Sequence, residues 1–273
     1  MKSLRLKAYP KVNITLKVLD FDKEARLHKI DSRMRLVVGS LFDTLSFEKS
    51  TDFSLSGFNF EIESNLIFKA YKLLKDTYDI SPYKIGVIKN IPFGAGLGGG
   101  SVNAALTLLA LNHIEGLNLE YETLLAHAKT LGMDICFFIC VYTQNGKFPL
   151  SSLEDKEELF LSADASNFGE VIKPFYEPNF KVRIFTNDIS CNTASVYKEF
   201  GKMQKETKTI SLDVATNTSP FLLKHFSIPN DLQIPAFKLY PQLKEIKANL
   251  IKEYKDIYFS GSGGSFFTLE GIS

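Results

Sequence analysis

The stretch Pro92-Phe-Gly-Ala-Gly-Leu-Gly-Gly-Gly-Ser101 constrains this chain more than any other. Five glycines fall within seven residues, and an Ala-Leu-rich run, Val102 to Leu111, follows at once. Upstream, Tyr83 to Ile91 alternates loosely and carries β-branched residues, which predicts a strand. The order is strand, glycine loop, helix. Glycines let backbone N–H groups turn inward with no Cβ in the way. A helix starting near Ser101 adds the unpaired N–H groups of its first turn and the positive end of its dipole. Together these predict a cradle for an anion, phosphate above all. The alternatives are a flexible linker and a tight packing turn. Glycine-rich linkers carry several Ser or Thr, however, and do not run straight into an apolar helix.

Known phosphate loops differ in what surrounds the glycines. A Walker loop needs Gly-x4-Gly-Lys-Ser/Thr, and no lysine follows here. Gly94, Gly96 and Gly99 do satisfy Gly-x-Gly-x-x-Gly, with Glu115 downstream. The ribose-binding acid of a dinucleotide fold belongs at the end of a second strand. Glu115 instead follows the helix directly, so this match is a coincidence. The His-Arg-Asp and Asp-Phe-Gly of protein kinases are missing. The loop closely resembles the Pro-x-x-x-Gly-Leu-Gly-Gly-Gly-Ser signature of the GHMP kinases (galactokinase, homoserine, mevalonate and phosphomevalonate kinases). By that resemblance Pro92, Gly94, Gly96, Leu97, Gly98, Gly99, Gly100 and Ser101 hold the phosphates of ATP.

Hydrophobic content of 45% with 23% charge is ordinary for a soluble globular protein. A chain of 273 residues is long enough for one large domain or two medium ones, each with a core. A net charge of +1 gives no sign of a nucleic-acid or membrane surface, so any grip on an anion is local. Cys136, Cys140 and Cys191 are an odd set without metal-ligand spacing, which predicts buried thiols in a reducing cytoplasm. The first residues lack an apolar signal region, and the longest apolar run, Ile135 to Tyr142, is too short to cross a bilayer. A cytoplasmic protein is expected.

Taken in order, Leu4 to Val18 reads as a strand pair or one bent strand interrupted at Pro10. Val12, Ile14, Leu16 and Val18 share one face; Lys11, Asn13, Thr15 and Lys17 share the other, which pattern alone makes a solvated face. Asn65 to Leu74 is helical by pattern, with Asn65 as a possible N-cap. Tyr121 to Leu131 is a second amphipathic helix. Asp134 stands where that helix meets an apolar run, in Leu131-Gly-Met-Asp-Ile-Cys-Phe-Phe-Ile139. An unpaired buried carboxylate is expensive, so Asp134 needs a cation, for which Lys11 is the candidate; a helix-capping role is the alternative. Composition shifts around residues 143–170, which puts a domain boundary near 146. Phe180 to Phe185 reads as a strand, Asn217 to Asn230 as a helix, and Tyr258 to Phe267 as strand, turn and strand.

Several of these segments resemble one branch of the GHMP family, the kinases acting on a cytidine-diphosphate-linked methylerythritol in the non-mevalonate isoprenoid pathway. Pro10-Lys-Val-Asn13 resembles their Ala-Lys-x-Asn, which implies Lys11 at the reaction centre and Asn13 beside the substrate hydroxyls. Leu27-His28 resembles their Gly-Tyr-His segment, implying that His28 meets the cytosine edge, although Leu27 replaces the usual aromatic. Asn65 and Lys89 correspond to residues by the adenine pocket. Leu131 to Phe138 is similar to Leu-Gly-Ala-Asp-Val-Pro-Phe-Phe, whose aspartate is the catalytic base; Cys136 replaces the proline. Thr193 and Tyr197 match a Thr-x-x-x-aromatic stretch that stacks on cytosine. Ser260 to Gly264 resembles the third GHMP motif, whose residues, here Gly261, Ser262 and Gly263, approach the substrate phosphates.

The resemblance implies an α+β, two-domain GHMP kinase fold. Its ATP-binding domain, residues 1–146, is similar to ribosomal protein S5 domain 2, and its substrate-side domain, residues 147–273, is ferredoxin-like. It further implies ATP and Mg²⁺, phosphorylation of a 2-hydroxyl, and a monomer or weak dimer with no nucleic-acid or membrane partner. The rivals are another GHMP kinase, of homoserine or mevalonate type, and a non-catalytic nucleotide-binding regulator on the same fold.

Overall fold

A long helix that is apolar on every side must be buried, and the one following the glycine loop organises the molecule. The computed structural model describes residues 3–144, 160–177, 180–206 and 230–271. In it helix α2 runs Gly99–Glu115, and every residue from Val102 to Leu111 is buried. It ends at Gly116, whose positive φ of 65° lets the Leu117 N–H reach back to the Asn112 carbonyl at 3.0 Å.

Around α2 lie α1 (Leu66–Tyr78), α3 (Tyr121–Leu131) and α4 (Met133–Tyr142). One sheet takes the order β1-β4-β6-β5, from Leu4–Ala8, Asp43–Lys49, Tyr83–Ile88 and Ser54–Ser56. A second takes the order β2-β3-β7-β8, from Lys11–Asp22, Leu27–Leu36, Ser162–Asn167 and Val171–Phe175. A third, three-stranded sheet has β11 (Phe266–Glu270) between β10 (Tyr258–Phe259) and β9 (Lys181–Phe185). Helices α5 (Thr193–Glu206), α6 (Gln233–Leu239) and α7 (Gln242–Glu253) accompany it in sequence.

Residue 146, where composition places a domain boundary, lies outside the described residues, as does most of the helix expected over 217–230. Strands β7 and β8 follow that point, yet β7 is hydrogen-bonded to β3 and β8 to β7. The ladder of the second sheet therefore continues to Phe175. Pro10 separates β1 from β2, and these two strands enter different sheets. The strand, loop and helix order expected around the glycines is present as β6, residues 89–98 and α2.

A buried carboxylate fixes how β6 leaves its sheet. Asp43, fully buried at the start of β4, accepts from the Asn90 and Ile91 N–H groups at 2.7 and 2.8 Å through Oδ1. Its Oδ2 accepts from Lys89 Nζ at 2.7 Å and Asn103 Nδ2 at 3.0 Å. One side chain thus joins β4, the exit from β6 and helix α2. Asp43→Ala strands a largely buried ammonium, the buried Ile91 N–H and the part-buried Asn90 N–H, so a loss of about 3 kcal/mol is expected. Urea unfolding should show a lower midpoint; an unchanged midpoint would mean that Asp43 does not hold this junction.

Candidate active site

The glycine loop is fastened through its carbonyls. Leu97 O accepts from the Lys11 N–H at 2.9 Å, and Gly94 O accepts from the Cys191 and Gly264 N–H groups at 3.0 and 3.2 Å. Ala95 O accepts from the Ser265 N–H at 3.1 Å, and Gly96 O from the Ser260 hydroxyl at 3.2 Å. Four consecutive carbonyls are therefore engaged by β2, by the segment before α5 and by the turn between β10 and β11. Acceptors that would repel an anion are held on the protein side. The first turn of α2 leaves its N–H groups for a ligand.

That turn is built for close approach. A Cβ on Gly263 would fall far inside van der Waals contact with Gly96 N and the Ala95 carbonyl carbon. Asn230 holds the turn from outside, its Nδ2 donating to Phe259 O and Gly261 O, both at 2.9 Å.

Beside the loop opens a cleft of about 280 Å³. It is lined by Pro92, by every residue from Gly94 to Ser101, and by Lys11, Asn13, Lys89, Asp134, Thr193, Tyr197, Gly261 and Ser262. Lys11, at the first position of β2, is buried, and its Nζ lies 3.2 Å from Asp134 Oδ2 and donates to Asn13 Oδ1 at 2.5 Å. The solvated face that alternation assigns to Lys11 and Asn13 is thus buried: α4 and the glycine loop cover it. Asp134 sits in the first turn of α4, where a negative charge complements the helix dipole. Its side chain is 38% exposed against 5% for Lys11, so the acid faces the cleft and the cation supports it from behind. Among the described residues lining the cleft, Asp134 is the one carboxylate.

The polarity of this group is set from its far end. Thr15 O can only accept, so the Ser32 hydroxyl donates to it, at 2.6 Å. Ser32 Oγ then accepts from Asn13 Nδ2 at 2.8 Å, which turns Asn13 Oδ1 toward the lysine. Ser32 carries no motif, and sequence reasoning missed it.

An aromatic group stands at one end of the cleft. Thr193, Tyr197 and Gly201 recur every four residues on α5 and share a face. Thr193 Oγ1 lies 2.8 Å from Ser262 Oγ. The ring of Tyr197 stacks on His28 with centroids 6.0 Å apart, and burial together with the charge of Asp134 pushes its phenol pKa up. His28 does not itself line the cleft; it sits behind Tyr197 with Phe21 and Phe200, at 5.0 and 5.7 Å. Leu27, in the place of the usual aromatic, is exposed, and Phe21 on the facing strand packs against His28 instead. A register shift between Val18 and Phe21 brings it there, which no sequence pattern announces.

Asn65 and Lys89 carry structural duties. Asn65 caps α1, its Oδ1 accepting from the Ile67 N–H at 2.9 Å. Lys89 pairs with Asp43 and also donates to Ile91 O, and burial lowers its pKa. Glu115 bonds Tyr83 and Ser81 away from the loop, in keeping with its place outside any dinucleotide motif. The three cysteines are free and buried, and burial pushes the Cys136 and Cys191 thiols up to about 12 and about 11. Among the described residues no helix is long and apolar enough to cross a membrane.

Comparison with known proteins agrees with this geometry. The GHMP kinases N terminal domain matches residues 65–141. The chain is 35% identical to a 4-diphosphocytidyl-2-C-methyl-D-erythritol kinase of Helicobacter pylori, over 96% of this chain and 93% of that protein. It is 34% identical to the Campylobacter jejuni protein of the same name, over 97% and 100%. A crystal structure of 4-(cytidine 5'-diphospho)-2C-methyl-D-erythritol kinase superposes with a TM-score of 0.73 at 29% identity, covering 97% of this chain and 89% of that one.

The contact between the two glycine turns gives a sharp test. Gly263→Ala must push the phosphate loop off its seat, costing about 1–3 kcal/mol and raising the KM for ATP. Gly39→Ala, at a site with nothing within 4 Å, is the control and should leave both unchanged. Thermal melts and nucleotide titrations of the two variants check this; equal behaviour would refute the tight seating.

Proposed function

The chain belongs to the GHMP kinases and, within them, to the family of the 4-diphosphocytidyl-2-C-methyl-D-erythritol kinases, and we propose that it transfers the γ-phosphoryl group of ATP to the 2-hydroxyl of that diphosphocytidyl sugar alcohol. This is a step in the non-mevalonate route to isoprenoid precursors. The observation carrying the reading is the Lys11–Asp134 pair, whose lysine is joined through its own backbone N–H to the phosphate loop at Leu97.

Phosphoryl transfer asks chiefly for positioning and for charge stabilisation. The N–H groups of the Gly94–Ser101 loop and of the first turn of α2 hold the triphosphate. Asp134 accepts the proton of the attacking hydroxyl. Lys11 pairs with Asp134 and places positive charge beside the migrating phosphoryl group. Two of its N–H donors go to Asn13 and Asp134, and the third meets a phosphoryl oxygen. Asn13 and Gly261 border the reacting alcohol, while Thr193, Ser262 and Gly263 serve the substrate's phosphates.

The cytidine end follows from the aromatic group. Tyr197 offers a ring for the base. His28 Nδ1 lies 3.1 Å from the Leu19 carbonyl, which can only accept, so the proton sits on Nδ1. In the neutral ring Nε2 then carries the lone pair, and because His28 stands behind Tyr197 a cytosine meets it only where the base extends past that ring, beyond the lining of the cleft. Homoserine and mevalonate carry no base, so this aromatic group favours the cytidyl substrate over theirs.

The donor set also suits Mg²⁺. Among the described residues no three metal-ligating side chains cluster, and magnesium held mainly by phosphate oxygens and water needs no such cage. The hydroxyl of Ser101 is the side chain that would join it. When bound, the ion neutralises charge on the β and γ phosphates.

Asp134→Asn should lower kcat by at least about 10²-fold while leaving ATP affinity near wild type. An unchanged kcat would remove Asp134 from the role of base. A coupled assay comparing the diphosphocytidyl substrate with homoserine and mevalonate tests the substrate. Turnover of either acid in preference to the cytidyl compound would overturn it.

A further inference from the structure

The two residues ahead of α6 reach toward both ends of the substrate side of the cleft. Asn230 meets the outer edge of β2 in a single parallel bridge to Leu16. The Asp231 N–H donates to Leu16 O at 3.0 Å, and Asp231 Oδ2 accepts from the Val18 N–H at 2.8 Å. β2 is an edge strand of its sheet, so Asp231 takes a donor that the ladder leaves open. The amide of Asn230 goes instead to the turn between β10 and β11. Its Nδ2 donates to Phe259 O and Gly261 O, each at 2.9 Å, and its Oδ1 accepts from the Leu232 N–H at 3.0 Å.

Each contact leads to a different part of the site. Gly261 and Ser262 of the turn line the cleft, and a Cβ on Gly261 would come within 3.2 Å of Asn13 Oδ1. Val18, for its part, is where regular β2–β3 pairing stops. Val18 faces Ile30 and Phe21 faces His28, so Leu19 and Asp20 together stand opposite Lys29 alone. Within this bulge the Leu19 carbonyl accepts from His28 Nδ1 at 3.1 Å. Just beyond it the Phe21 ring packs on His28, which stacks in turn on Tyr197. Two of the contacts that orient His28 therefore come from the stretch directly after Val18.

We propose that Asn230 and Asp231 are positioning residues that fix the separation between the phosphate-facing turn and the His28–Tyr197 group. Asn230 acts through Gly261, and Asp231 acts through the bulge that follows Val18. The base and the diphosphate of one nucleotide are joined by a single ribose, so their two recognition points must keep a matching separation. Mounting both on adjacent residues sets that separation before a ligand arrives. Neither residue lines the cleft itself. The inference rests on the proposed cytidyl substrate.

His28 reports on this strut without any ligand. Its Nδ1–H form gives a distinct pair of ring-nitrogen NMR shifts, assigned by comparison with His28→Gln. Asp231→Ala should move that pair toward the Nε2–H form. Asp231→Asn keeps an oxygen for the Val18 N–H and should preserve it. In kinetics, Asp231→Ala should raise the KM for the cytidyl substrate about tenfold, with kcat and the KM for ATP unchanged, and Asp231→Asn should restore it. Asn230→Asp keeps the shape but loses both donors; it should lower kcat and raise both KM values, because the same turn supports the phosphate loop. That variant carries the test if melts show Asp231→Ala to be unfolded. An unmoved His28 spectrum in folded Asp231→Ala, or equal effects on the two KM values, would overturn the strut, as would Asn230→Asp kinetics like those of wild type. A moved His28 spectrum in an enzyme whose wild type ignores the cytidyl compound would uphold the strut and sink the proposed reaction instead.

Discussion

The hydrogen bond from the Lys11 N–H to the Leu97 carbonyl is the contact on which the site depends. It uses main-chain atoms at both ends, so no side-chain change other than to proline at position 11 can delete it. It joins the first residue of β2 to the phosphate loop before any ligand arrives. The lysine that supports Asp134 and the amides that face a triphosphate are consequently parts of one rigid piece. Preorganisation of this kind is where a phosphoryl-transfer enzyme gains most, because the reaction asks for charges fixed in place more than for bond-making by the protein.

The remaining carbonyls of the loop are bonded by residues far along the chain. Cys191, Ser260, Gly264 and Ser265 all reach it. The anion cradle is therefore assembled by both ends of the sequence, although its glycines come from a single stretch. This explains why the third motif is rich in glycine: the Gly263 backbone occupies the space where a side chain would collide with Gly96. Each turn supports the other, and ATP would bind against a surface that neither could form alone.

Much of this was legible in the sequence. The glycine loop and its flanking strand and helix follow from local rules, and α2 is buried because eight of its ten central residues are apolar. Asp134 was legible as an acid in need of a cation, and Lys11 as a candidate for it. Alternation misled only about the second face of β2, since period-two patterns cannot tell water from a second layer of protein. Ser32 and Asp43 left no trace, because a serine or an aspartate in a strand acquires a role only from partners remote in sequence. Phe21 was hidden for a different reason. A register shift in the β2–β3 pairing moves it against His28, and register belongs to two strands at once.

The charge of the site follows from the same arrangement. With a net charge of +1, the protein as a whole neither attracts nor repels a polyphosphate. The cleft nevertheless holds two lysines and one carboxylate, and each lysine is already paired, Lys11 with Asp134 and Lys89 with Asp43. Neither is a free charge that would trap product phosphates tightly. On the proposed reading the grip on the triphosphate therefore falls mainly to backbone N–H groups, whose partial charges are fixed by the fold. Lys11 can then shift its attraction from Asp134 toward the phosphoryl group as negative charge leaves the one and builds on the other. A lysine free in solvent would lack that graded response, because water would screen it at every stage.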